Sequence, residues 1–292
     1  MIYTLNSEDL SVSVRENGAE LCSISSLSSQ TEYLWQGDPS IWAGQAPVLF
    51  PIIGALKDGF TKYKGNEYRI PKHGLVRNSD QVKLLEATTD SLRFGMFWNT
   101  ETLKKYPFKF ELEILFKLDG KTITISHLIR NQGEEEMLYS IGGHPAFNCP
   151  LQEGEKYEEY ELNFAEKEND STWLIDQAGL VSGKQKPTLN NTKILSLHKN
   201  LFNQDALIFK NLKSREVTLQ HRKKGGIISV EFSDFDYLGI WAKPNAPFVC
   251  IEPWLGIADS ADSNQNLKEK EGILLLSPGQ SDKKSYAITV LE

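Results

Sequence analysis

Residues 108–131 read FKFELEILFKLDGKTITISHLIRN. Every second residue of the first half is apolar: Phe108, Phe110, Leu112, Ile114, Phe116 and Leu118. That period of two predicts a strand with one buried face. Asp119 and Gly120 accept the positive φ of a tight turn. Beyond Lys121 the alternation resumes, with Ile123, Ile125, His127 and Ile129 on one face. The stretch therefore reads as a β-hairpin.

The pattern recurs outward from it. A second hairpin is expected at FTKYKGNEYRI, turning at residues 64–67. Further strands are expected at LSVSV, EYLW, QVKLLEA, SLRFGMFW, YELNF, DALIF, EVTLQHR, GIISVEFS, YLGIWA, FVCIE, GILLLS and SYAITVLE. Helical patterns are few: ETLKKY near Thr102 and residues 195–202. Many strands with frequent turn signals predict an all-β protein, a large antiparallel sandwich. No fixed-period repeat marks a propeller. No low-complexity linker divides the 292 residues, so a single domain over 1–292 is expected.

The composition excludes several classes. Hydrophobic residues make up 40% of the chain, so it can build a core. The formal net charge is −7 and no basic run appears, which argues against nucleic acid as a partner. No apolar run approaches the ~20 residues that span a bilayer. MIYTLNSEDL has no charged-then-apolar leader pattern. Cys22, Cys149 and Cys250 are widely spaced and odd in number, so no disulfide framework is expected. A reducing cytoplasm is the simplest setting. The sequence leaves the assembly open, a homodimer included.

Three segments place titratable residues in turn-rich or apolar sequence. PKHGLVRN carries His73 and Arg77, IGGHPAFNCP carries His144, and FVCIEPW carries Glu252. On a strand, Phe248, Cys250, Glu252 and Trp254 share one face. Pro253 lacks an N–H, which predicts a strand end or a sheet edge there. Gly142 and Gly143 permit close backbone approach before His144, and Pro145 holds its backbone extended. A carboxylate with imidazoles makes an acid–base set near neutral pH. His127, among isoleucines, reads as a satisfied core histidine, and His198 and His221 as surface or packing residues. Asp205 can end a helical turn before a strand. Two histidines and a carboxylate could ligate zinc, but there is no HExxH and no close HxH pair, so no metal is expected.

Taken together, the segments resemble the aldose 1-epimerase (galactose mutarotase) family, in its shorter bacterial branch. APVLFPIIG, GNEYRIPKHGLVRN, SIGGHPAFNCP, FNQDALIFKNL and FVCIEPWLGIAD match it in order. The resemblance implies a β-sandwich with a shallow sugar cleft and an isomerase that needs no cofactor. It implies Glu252 as the base that takes the anomeric hydroxyl proton and His144 as the acid that protonates the ring oxygen. It implies His73 near the ring oxygen and Asp205 on sugar hydroxyls. An aromatic ring, Trp241, Trp254 or Phe147, would lie against the sugar. Arg77 matches an arginine that contacts phosphate in the hexose-6-phosphate branch. The segment GQAPVLFPIIGALKDG departs from the family: it holds Gln45, Ala55 and Lys57 where an arginine is common. Lys57 is the cation expected to stand in for it, and the missing arginine argues against a sugar 6-phosphate. The competing readings are a sugar-6-phosphate mutarotase, a non-catalytic carbohydrate-binding sandwich, and a glycoside hydrolase or lyase using Asp205 with Glu252.

Overall fold

A computed structural model describes all residues, Met1–Glu292. The hairpin forms as read: Phe110–Asp119 pairs antiparallel with Thr122–Asn131, with Asp119 opposite Thr122. Strict alternation of buried and half-exposed residues along Phe110–Asp119 is the period of two made physical.

This hairpin sits inside a nine-stranded sheet. Ser281–Val290 flanks it on one side, and Ser91–Phe97 followed by Lys83–Ala87 on the other. Gly225–Glu231, Glu216–His221, Tyr160–Glu168 and Thr192–Ser196 complete the sheet. An eight-stranded sheet is built around Phe248–Leu255 and Tyr237–Trp241. Smaller antiparallel sheets include the hairpin Thr61–Tyr63 with Asn66–Tyr68 and the three strands from Ile2 to Ser26. One cluster of 70 buried residues draws on both large sheets, for example Phe110, Ile114 and Phe116 from the first and Ile240, Val249 and Ile251 from the second. This is the sandwich the alternation predicts. The one α-helix, Thr100–Lys105, is capped by Asn99, whose side chain accepts from the amides of Glu101 and Thr102. No helix is long and apolar enough to cross a membrane.

Three expectations need correction. The helix expected over 195–202 is instead the end of strand Thr192–Ser196 followed by turns. EYLW makes only isolated bridges, Ser25 with Glu32 and Leu34 with Phe147. Pro253 is neither at a strand end nor on an edge: Phe248–Leu255 runs through it between other strands. Its neighbour explains why. Ile141–Gly143 and Ala146–Asn148 pair with the two ends of Phe248–Leu255 and leave a gap at His144 and Pro145. The amide of Ile251 donates to Pro145 O at 3.1 Å, so the nitrogen two residues on points toward the same gap. No ladder bond is lost there to the missing N–H of proline.

Candidate active site

That gap positions the site. Strand Phe248–Leu255 presents Glu252, which is 1% exposed, and the interruption in the neighbouring strand presents His144. His144 Nε2 lies 3.2 Å from Glu252 Oε2. Across the pair from Glu252 on the next strand stands Gly239. A Cβ at Gly239 would fall 2.5 Å from the indole of Trp254, so glycine makes the room that lets this ring lie along the sheet beside Glu252.

The cleft encloses about 190 Å³ and opens to solvent. His73, His144, Asp205, Glu252, Arg77, Trp241 and Trp254 all line it. Seven residues singled out in the sequence, spread from 73 to 254, thus converge on one place. His73 and Asp205 hold φ of +68° and +70°, in the left-handed region that non-glycine residues rarely occupy. Such conformations persist where the surroundings enforce them, and here both residues face the cleft. The His73 and His144 rings meet edge to face at 5.6 Å.

Other expected residues lie elsewhere. Lys57 does not line the cleft: its ammonium donates to Ser263 O at 3.0 Å and its amide to Asp259 Oδ2. Phe147 is fully buried and also outside it. Gln45 is a buried bracket that donates to Cys22 O and Trp35 O and accepts from Arg15. His127 is in the core as expected; its ring approaches the backbone of Lys284 across the sheet, but neither nitrogen makes a well-aligned hydrogen bond.

Two lining residues escaped the sequence reading. Trp42 stacks on His144 at 5.0 Å and 26° and meets Trp241 edge-on at 5.5 Å. Its signal was a tryptophan in the turn-rich GDPSIWAGQAP, with no alternation to bury it. Lys72 immediately precedes His73 and points into the same space, close to Gly179.

The electrostatics follow from burial. Removing Glu252 from water raises its pKa well above the usual carboxylate range, opposed chiefly by the Lys72 charge. Burial, with help from the nearby Arg77 guanidinium, drives His144 down to about 3. Burial and the neighbouring His144 hold His73 well below ordinary imidazole. Both members of the central pair are therefore pushed toward their neutral forms, and their facing atoms come within 3.2 Å without an aligned hydrogen bond, Glu252 Oε2 having no partner. A carboxyl and an imidazole this close can exchange a proton, and so accept from one substrate atom and donate to another.

His144, Cys250 and Glu252 also bring N, S and O donors within 4.8 Å of one another. Donors of one zinc ion lie closer, about 4 Å apart or less. His144 Nδ1 has no partner to orient the ring as a metal ligand's second nitrogen usually has. The spacing fits a proton-transfer pair better than a metal centre.

A family model described as aldose 1-epimerase matches residues 1–288. The plasmid and chromosomal forms of protein LacX of Lactococcus lactis subsp. lactis are each 40% identical over 300 residues, covering all of both chains. The X-ray structure of a galactose mutarotase related enzyme from Lactobacillus acidophilus is 34% identical. It superposes with a TM-score of 0.94 over 100% of this chain and 98% of that one. A galactose mutarotase-like protein from Lactobacillus casei ATCC 334 is 26% identical, with a TM-score of 0.91 over 99% of this chain and 100% of that one.

Proposed function

Because this chain belongs to the aldose 1-epimerase family of isomerases, we propose that it is a single-domain mutarotase that interconverts the α and β anomers of a hexose at the Glu252–His144 pair. The observation that carries this reading is the 3.2 Å approach of these two groups in a cleft lined by aromatic rings. The sugar binds with its anomeric hydroxyl at Glu252 and its ring oxygen at His144. Before reaction the pair's proton moves to His144 Nε2. Glu252 takes the hydroxyl proton as His144 gives its own to the ring oxygen. The electrons of the breaking C1–O5 bond stay on O5, and C1 becomes an aldehyde. Rotation about C1–C2 presents the other carbonyl face. O5 attacks it, the two protons return, and the other anomer forms. His73 donates to a ring or neighbouring oxygen, Asp205 accepts from hydroxyls, and Trp42 and Trp241 offer aromatic faces to C–H groups. The chemistry is proton transfer, and these residues supply it within a cytoplasmic setting.

A second reading has its own support. Lys72 and Arg77 both line the cleft, and no carboxylate pairs with either. Two uncompensated cations favour a substrate with an anionic group, such as a hexose 6-phosphate, despite the absence of an arginine near Ala55.

A saturation-transfer NMR screen of anomer exchange over aldoses and aldose 6-phosphates tests both. Faster exchange with at least one sugar is expected. Binding without acceleration across the panel would make the protein a carbohydrate-binding module instead.

A further inference from the structure

Asp259 closes the segment FVCIEPWLGIAD, and neither the pattern of strands nor the proton chemistry above uses it. It is 4% exposed and every polar atom it has is engaged. Its Oδ1 accepts from Lys270 Nζ at 2.7 Å, an ion pair whose side chains are both 3% exposed. Its Oδ2 accepts from the amide of Lys57 at 3.0 Å. Its amide donates to Ala55 O, and its carbonyl accepts from the amide of Val181, each at 2.9 Å. The carboxylate thus holds the 54–57 loop by the Lys57 amide, while backbone bonds that any residue at 259 could make tie Ala55 and Val181 to the same point.

The loop so held touches the site directly. Gly54 lines the cleft and is packed against Ala258, which a Cβ on Gly54 would meet at 2.6 Å. The Gly54 amide donates to His73 Nδ1 at 3.3 Å, and the His73 amide donates to Gly54 O at 2.9 Å. With Nδ1 accepting, a neutral His73 carries its proton on Nε2.

We propose that the buried Asp259–Lys270 pair is a positioning device for His73: by fixing the 54–57 loop, it holds His73 in its left-handed backbone and in the Nε2–H tautomer, as a donor toward the sugar. Its consequence for catalysis rests on the mutarotase reading; its consequence for the His73 tautomer does not. Lys270 gives the buried Asp259 carboxylate a partner on one oxygen and leaves the other oxygen on the Lys57 amide, which fixes the loop. Neither side chain is among those lining the cleft, so both act through His73.

The test joins the ring nitrogens of His73, followed by ¹⁵N NMR, to steady-state anomerisation. Wild type should show the Nε2–H tautomer. Asp259→Ala combined with Lys270→Met removes the acceptor of the Lys57 amide along with both charges, and so avoids stranding one of them. In this variant the His73 signals should move toward a tautomer mixture. KM should rise about tenfold, with kcat changed much less. Lys270→Met should add nothing further in a His73→Ala background, because effects that act through one residue do not add. Lys270→Arg, which retains the charge, should keep the wild-type tautomer and rescue KM; it serves alone with Asp259→Ala if the methionine variants do not fold. A wild-type His73 spectrum in folded Asp259→Ala, or a Lys270→Met effect of full size in the His73→Ala background, would overturn the proposal. If the wild-type protein accelerates no sugar, the mutarotase reading fails and the tautomer measurement still decides this one.

Discussion

At the scale of the residue, the account rests on two groups moved in opposite directions by the same cause. Burial raises Glu252 and lowers His144 to about 3, so both favour their neutral forms over a wider range of pH than free side chains would. The pair fails when His144 gains a proton or Glu252 loses one. For kcat/KM, the acid limb should therefore fall below the 6.5 of an ordinary imidazole. The alkaline limb should lie above the 4.5 of an ordinary carboxylate. A pH–rate profile from 4 to 9 checks this, and half-loss at or above pH 6.5 on the acid side contradicts it. Glu252→Gln and His144→Asn should each lower kcat by about 10²–10⁴ while sugar binding by calorimetry persists. Glu252, His144 and His73 were legible because their short segments carry unusual residue types, whereas Asp205 read as the end of a turn and entered only through the family resemblance. Lys72 was not legible, since an exposed lysine beside a turn has no signature in sequence. Lys57 looked equivalent, yet only the fold shows that its ammonium turns to Ser263 O.

At the scale of the element, strand Phe248–Leu255 is buried at all eight positions, so it belongs to the interior of a sheet with both faces covered. Its apolar run was readable; its place was not, because Pro253 argues for an edge whenever the partner is unknown. The partner's gap at His144 resolves this and makes the site at the same time. Gly239 is the second local requirement, since any side chain there collides with Trp254. Gly239→Val should push the indole toward the cleft, raise KM, and cost about 1–3 kcal/mol of stability by overpacking. Denaturant melts alongside kinetics check it; an unchanged KM would show that Trp254 does not shape the sugar site.

At the scale of the whole molecule, period-two patterning carried most of the architecture, as in Phe110–Asp119. Short strands were missed where pairing creates them, as at Val48–Leu49 and Ile141–Gly143. Beyond the hairpins, which strands share a sheet depends on long-range packing that local patterning does not reveal. The large sheet also buries His127 against Tyr286 with neither nitrogen in a well-aligned hydrogen bond, and burial lowers its pKa to about 4. Its folded pKa lies below the unfolded value of about 6.5, so the unfolded chain binds the proton first as pH falls. Stability should decline from near pH 6.5 toward about 4, by up to about 3 kcal/mol from this residue. His127→Leu should flatten that part of the curve and cost little at neutral pH. Equilibrium unfolding at several pH values checks it, and parallel curves for the two proteins would remove His127 from the account.

The most direct test is the rate at which optical rotation relaxes after dissolving a pure anomer of the sugar selected by the NMR screen, with wild-type protein and with Glu252→Gln. Marked acceleration by the wild type is expected, lost by about 10²–10⁴ in the variant. Equal acceleration by both proteins would contradict the central place given to Glu252.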